Sequence, residues 1–139
     1  MRIAGAHENG RLRAHLVDRL RHGGLEVRVQ AVRSLRASGR GGAADELRRA
    51  LKDPAWQVRT QAARGLGDLA AREAAGDLRR ALSDPSWWVR LRAALALRRL
   101  GRRGRDILEG VDPEEDRYAA DMADYVLGLD EEAYREHAR

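Results

Sequence analysis

The chain has 139 residues, 43% hydrophobic and 35% charged, and no cysteine. That length suits one domain with a continuous core, and the missing thiol excludes disulfides, thiolate metal sites and a cysteine nucleophile. The formal net charge of +5 hides a polarity: residues 1–105 hold 24 Lys+Arg against 10 Asp+Glu, and residues 106–139 hold 3 against 12. A basic body therefore precedes an acidic end. Ala, Leu and Arg dominate, which is helical composition. Met1 to His7 lack the apolar run of a signal peptide and no later stretch approaches a membrane span, so the chain is read as soluble and cytoplasmic.

Residues 1–10 show no periodicity and read as a loose, flexible N-terminal tail. From Arg11 to Arg21, Leu12, Leu16 and Leu20 recur every fourth residue, with Val17 beside them, as one apolar helical stripe. Gly23-Gly24 ends that helix. Leu25 to Ser38 follows with Val27, Ala31 and Leu35 on one face, a trio repeated as Val58, Ala62, Leu66 and again as Val89, Ala93, Leu97. Arg36 to Gly42 reads as a glycine-rich turn, and Ala43 to Lys52 as a second helix presenting Leu47, Ala50 and Leu51.

The clearest repetition spans Asp53 to Gly101, where Asp53-Pro54-Ala55-Trp56-Gln57-Val58-Arg59 returns 31 residues later as Asp84-Pro85-Ser86-Trp87-Trp88-Val89-Arg90. A fixed period of this size predicts a solenoid whose units bury their apolar faces only by stacking. Asp before Pro predicts a helix start, the carboxylate accepting first-turn amides. Asp112-Pro113-Glu114-Glu115 repeats the signal, with Glu115 placed to complete a capping box.

The third repeat departs from the others. Gly101-Arg102-Arg103-Gly104 reads as its inner turn, the helix after it from Arg105 to Gly110 is short, and Asp112 comes 28 residues after Asp84, which predicts a changed stacking angle. Glu114 to Leu127 reads as a fourth first-helix in which Arg117 matches Arg28, Arg59 and Arg90. Asp130 is placed to cap a last, mostly polar helix that would form the outer cap of the stack.

The motif Asp-Pro-x-Trp-x-Val-Arg-x-x-Ala-Ala-x-x-Leu resembles that of HEAT-repeat proteins, including the short HEAT-like repeats of phycobilisome lyases and one class of alkylpurine DNA glycosylases. The resemblance covers residues 11–128 as one repeat domain, with 129–139 as an acidic capping helix. It implies an all-α, right-handed α-solenoid of three to four helical hairpins with capping helices. It also implies a concave face lined by second helices, here residues 11–21, 43–52, 74–83 and 105–110. By the same resemblance, the Arg six residues after each Asp joins a ladder of side-chain hydrogen bonds between neighbouring repeats, which makes Asp53, Arg59, Asp84 and Arg90 structural residues.

On the second helices, Arg48, Arg49, Arg79 and Arg80, with Lys52 and the cluster Arg102, Arg103 and Arg105, form the candidate binding surface, because the period sets Arg48 over Arg79 and Arg49 over Arg80. Trp56 and Trp87 occupy equivalent positions and are expected to pack between helices. Trp88 replaces the polar Gln57 and is a candidate contact residue. The sequence contains no nucleophile elbow, phosphate loop or zinc motif, so no catalysis and no cofactor are expected. The expected role is a noncatalytic adaptor for an acidic or amphipathic protein partner; the alternative is phosphate-backbone binding to nucleic acid. Charge pairing between the basic body and the acidic end would also allow head-to-tail self-association.

Overall fold

The computed structural model describes residue 11, residues 14–39 and residues 42–138, so the tail expected over 1–10 and the stripe residue Leu12 lie outside the described residues. All regular structure among the described residues is helical: α1 (14–22), α2 (Leu25–Ser38), α3 (Ala43–Ala50), α4 (Trp56–Asp68), a 3-10 turn leading into α5 (Ala75–Ala81), α6 (Trp87–Arg99), α7 (Arg102–Glu109), α8 (Arg117–Leu127) and α9 (Glu131–Ala138).

The first helices α2, α4, α6 and α8 pack side by side in one row, and the second helices lie against them, α3 on α2 and α4, α5 on α6, and α7 on α6 and α8. The repeat trios supply the seam. Ala31, Leu35, Val58, Ala62, Leu66, Ala93 and Leu97 share one buried core with Leu47, Leu78 and Leu108 of the second helices, and Val89 is buried as well. Each helix alone would leave this stripe in water, so burial requires the neighbouring repeats. Val27 is the exception at 38% exposed, because α2 is the first of the row among the described residues.

Several local expectations are corrected. The segment 36–42 is not all turn, since α2 continues to Ser38 and ends on Gly39 at φ 58°. Asp53, Asp84 and Asp112 do not cap helices; each accepts the amide two residues on, from Ala55, Ser86 and Glu114, all at 2.9 Å. These are Asx turns, and the helices start later, at Trp56, Trp87 and Arg117. In the third case Asp116 takes the cap, accepting from Ala119 N at 3.0 Å, so Glu115 lies in the preceding turn and no capping box forms. Arg102, Arg103 and Gly104 belong to α7 and not to a turn, because Gly101 at φ 79° makes the reversal alone. Asp130 does cap the last helix, accepting from Ala133 N at 2.8 Å.

The last helix does not extend the row beyond α8. It turns back and packs on α6, held by Arg98, whose side chain is only 10% exposed. One Arg98 nitrogen donates to the carbonyls of Val126 (2.8 Å) and Leu129 (2.7 Å), and the guanidinium lies 4.4 Å from the Tyr134 ring centroid. Two carbonyls at the α8 end, of which Val126 O also accepts the Leu129 amide at 3.3 Å, thus find a charged donor, which suits a helix C-terminus. Replacing Arg98 with Ala is expected to cost about 2 kcal/mol and to make the α9 amides exchange faster than those of α6, as read by hydrogen exchange. Equal protection of α9 in wild type and variant would contradict this clamp.

Candidate functional site

Three sets of polar contacts define the surfaces, and the first joins the repeats. Arg28 reaches Asp53 through two nitrogens at 2.9 and 3.1 Å, and Arg59 reaches Asp84 in the same way at 2.8 and 3.0 Å. Each arginine also holds the turn before its own helix: Arg28 donates to Gly23 O, Arg59 to Asp53 O and Pro54 O, and Arg90 to Asp84 O and Pro85 O. The carboxylate partner is therefore the Asp of the next repeat, while the Asp six residues earlier contributes only its backbone carbonyl.

The third rung differs. Asp112 arrives early and, among the described residues, no carboxylate pairs with Arg90, whose Nε is buried without a hydrogen-bond partner. Asp116 stands nearby; a hydrogen bond from Ser83, then the Ala119 amide, hold its carboxyl below the usual aspartate range. Tyr118 lies 5.4 Å from the Arg90 guanidinium. Arg117, expected to continue the arginine row, is exposed and faces Asp121 of its own helix at 3.6 Å. Arg28, Arg59 and Arg90 are the fourth residues of α2, α4 and α6, whereas Arg117 is the first of α8, so it falls three places short of the rung.

On the second-helix face, Asp77 is the hub. Arg48 Nε donates to it at 2.6 Å and Arg80 at 2.5 Å, which ties two of the candidate cations to one carboxylate. Burial works against the Asp77 charge, but these hydrogen bonds outweigh it and hold the carboxyl below the usual range, and the same bond raises Arg48. A carboxyl that titrates lower when folded stabilises the protein fully above the 3.8 of an ordinary aspartate and loses that contribution as pH falls through the folded value. Urea midpoints measured from pH 6 down to pH 2 should therefore fall less steeply below about pH 4 in Asp77→Asn than in wild type. Identical slopes would contradict the assignment.

Arg49, Lys52, Arg79, Arg102, Arg103 and Arg105 are exposed and form no ion pair among the described residues. Glu46, only 8% exposed, is occupied by Arg21 of α1 at 3.1 Å.

The tryptophans are corrected. Trp56 and Trp87 do not pack between helices; they open α4 and α6 at 42% and 47% exposed, and Trp88 is 51% exposed. Trp87 and Trp88 meet edge to face, with ring centroids 4.9 Å apart. Leu25 and Tyr118, at 40% and 73% exposed, stand one period before Trp56 and one after Trp87, so an exposed large apolar residue recurs in all four first helices. The spacing was present in the sequence. What hid it was the habit of assigning equivalent tryptophans to the core.

The third set lies on the first helices, on the side away from α3, α5 and α7. Arg36 pairs with Asp68 at 2.6 Å, and Arg33 and Arg64 line the same depression. Arg92 donates to the carbonyl of His137 in α9 at 2.7 Å. Burial, then the adjacent guanidinium of Arg36 for Arg64 and of Arg64 for Arg92, hold these two arginines below their ordinary value. Sequence reading placed the basic surface on the second helices and missed this cluster, in which Arg33 and Arg64 share one repeat position but Arg36, Asp68 and Arg92 stand at others.

No helix among the described residues is long and apolar enough to cross a membrane. No curated protein matches the chain. The family model for HEAT repeats matches twice, over residues 13–98 and 44–124. With the stacked helical hairpins and the 31-residue period, that match establishes that the chain belongs to the HEAT-repeat family.

Proposed function

We propose that this protein is a noncatalytic scaffold that binds an acidic protein surface through its second-helix face. HEAT repeats are in general protein-interaction modules, and a stack tied by partly buried arginine–aspartate rungs presents its side chains on a rigid frame, which lowers the entropy cost of association. The observation that carries the reading is the distribution of charge around Asp77. Arg48 and Arg80 are committed to that carboxylate, whereas Arg49, Lys52 and Arg79, with Arg102, Arg103 and Arg105 of α7, stay exposed and unpaired among the described residues. Those six cations are the groups available to a partner.

The experiment is a titration of labelled poly-L-glutamate against the wild-type chain and the Arg49→Glu/Arg79→Glu and Arg102→Glu/Arg103→Glu variants at physiological salt. Losses of about tenfold or more in both variants are expected. Affinity unchanged in both would remove this face from the account.

A further inference from the structure

The first helices open on large side chains that the core does not take. Leu25, Trp56 and Trp87 are the first residues of α2, α4 and α6, Tyr118 is the second of α8, and 31 residues separate each from the next. Because α2, α4, α6 and α8 pack side by side, these four residues make one row along the edge of the stack. All four are exposed. Trp88, also exposed, adds a second indole at the third place, and its ring stands at 87° to that of Trp87, so the pair forms a corner of two perpendicular planes. An apolar row left in water at every first helix marks a contact surface.

Three properties of the row select its occupant. The charges that line it balance: Arg28 is bound to Asp53 and Arg59 to Asp84, Glu26 and Arg33 line the Leu25 end together, and Arg90 and Asp116 line the Tyr118 end. A polyanion finds no surplus positive charge there. The row also offers hydrogen-bond donors without acceptors, since none of the three indole N–H groups is bonded to another described residue. An indole nitrogen can only donate, so the partner must bring acceptors. The spacing decides between partners that do. Packed helices stand about 8–10 Å apart, so the rings recur at that interval, and a polyproline II helix advances about 9 Å in each turn of three residues. Its carbonyls have no internal hydrogen bonds and face outward as acceptors.

We propose that this row is a docking site for a proline-rich segment of a partner protein in the polyproline II conformation, with a proline at every third residue seated on successive aromatic positions and carbonyls accepting from the indole N–H groups. The corner between Trp87 and Trp88 takes one pyrrolidine ring, and Trp56 and Tyr118 take the rings one turn to either side. Such a helix is formed before it binds, so docking orders little that was free. The site uses none of the second-helix cations and stands independently of that reading.

The test uses the full chain and a fluorescein-labelled peptide of four proline-proline-serine repeats, with four glycine-glycine-serine repeats as the flexible control. Twelve residues of polyproline II extend about 37 Å, enough to cross all four first helices. Anisotropy titrations compare wild type with Trp88→Gln, which restores the residue that α4 carries at the equivalent position, and with Tyr118→Ala, at the most exposed site of the row. Each is expected to weaken binding about fivefold or more, while Arg49→Glu/Arg79→Glu changes it less than about twofold and added salt leaves it unchanged. The chain's three tryptophans all belong to the row, so unlabelled peptide should shift their emission to shorter wavelength as the rings leave water. Absence of binding, equal binding of the glycine control, or binding that either aromatic variant leaves intact would overturn the proposal. So would tighter binding of oligo-dT or of phosphatidylserine vesicles that Trp88→Gln abolishes, which would assign the row to single-stranded nucleic acid or to an anionic membrane.

Discussion

Gly104→Ala is expected to destabilise the fold by about 3 kcal/mol or more, the upper end of what overpacking costs. Gly104 is buried in the first turn of α7, and a Cβ added there would stand 1.6 Å from the carbonyl oxygen of Leu97 and 2.5 Å from its carbonyl carbon. Those are backbone atoms of α6, so no rotamer change relieves the clash; the two helices must separate. Separation would also uncover Leu97 and Leu108, both at most 1% exposed. Urea denaturation reads the loss directly. Gly76→Ala is the control, since its nearest neighbour is an Arg80 side-chain nitrogen at 3.8 Å, and it should leave stability unchanged or slightly raised through helix propensity. A Gly104→Ala protein as stable as wild type would mean that α7 does not approach α6 as described.

The second large effect is expected at Asp84. This carboxylate accepts two of the Arg59 hydrogen bonds and the Ser86 amide, with side chains 16% and 11% exposed for the arginine and aspartate. Asp84→Ala leaves a largely buried guanidinium without its carboxylate and frees the Ser86 amide. A loss of about 3 kcal/mol is expected, because removing one partner of a buried pair costs more than the pair itself contributes. Arg59→Ala should cost less than the sum of the parts: in a double-mutant cycle with Asp84→Ala, a coupling of at least about 1 kcal/mol is expected. Additive losses would show that the two groups act separately. At the third rung the same experiment should behave differently. Among the described residues no carboxylate pairs with Arg90, so Asp112→Ala, whose side chain contacts the Glu114 amide in an exposed turn, should cost well under half as much as Asp84→Ala.

The fold was legible because two independent signals agreed in the sequence. The 31-residue return of Asp-Pro-x-Trp and the four-residue spacing of Val, Ala and Leu both follow from one physical need, the burial of a stripe that a single hairpin cannot cover. Where the repeat is regular, over α4 to α6, element order and core residues could be read directly. Where it loosens, reading failed for identifiable reasons. Glycine at 104 looked like a turn residue, yet it serves as the small residue that lets α7 meet the α6 backbone. Asp112 looked like a third copy of Asp84, but the shortened spacing leaves the cap to Asp116 and the Arg90 rung without its aspartate.

The candidate surfaces were less legible than the fold, since exposure and ion pairing are relations between repeats. Arg48 and Arg79 look interchangeable in the sequence, but 29 residues after Arg48 stands Asp77, which takes Arg48 and not Arg79. The outer cluster was harder still, because α9 had been expected to close the end of the row. Its return onto α6 depends on Arg98 meeting the carbonyls of Val126 and Leu129, contacts that span 28 and 31 residues. No local pattern announces them.

The central claim is that the exposed cations serve an acidic protein surface and not a phosphate backbone. The most direct test is fluorescence anisotropy of labelled duplex DNA, single-stranded DNA and poly-L-glutamate against the full chain, titrated from low to physiological salt. The account predicts that poly-L-glutamate binding persists at physiological salt and falls in Arg49→Glu/Arg79→Glu, while both oligonucleotides are lost steeply as salt rises. Oligonucleotide binding that survives physiological salt and exceeds that of the polypeptide would contradict it and assign the second-helix face to nucleic acid.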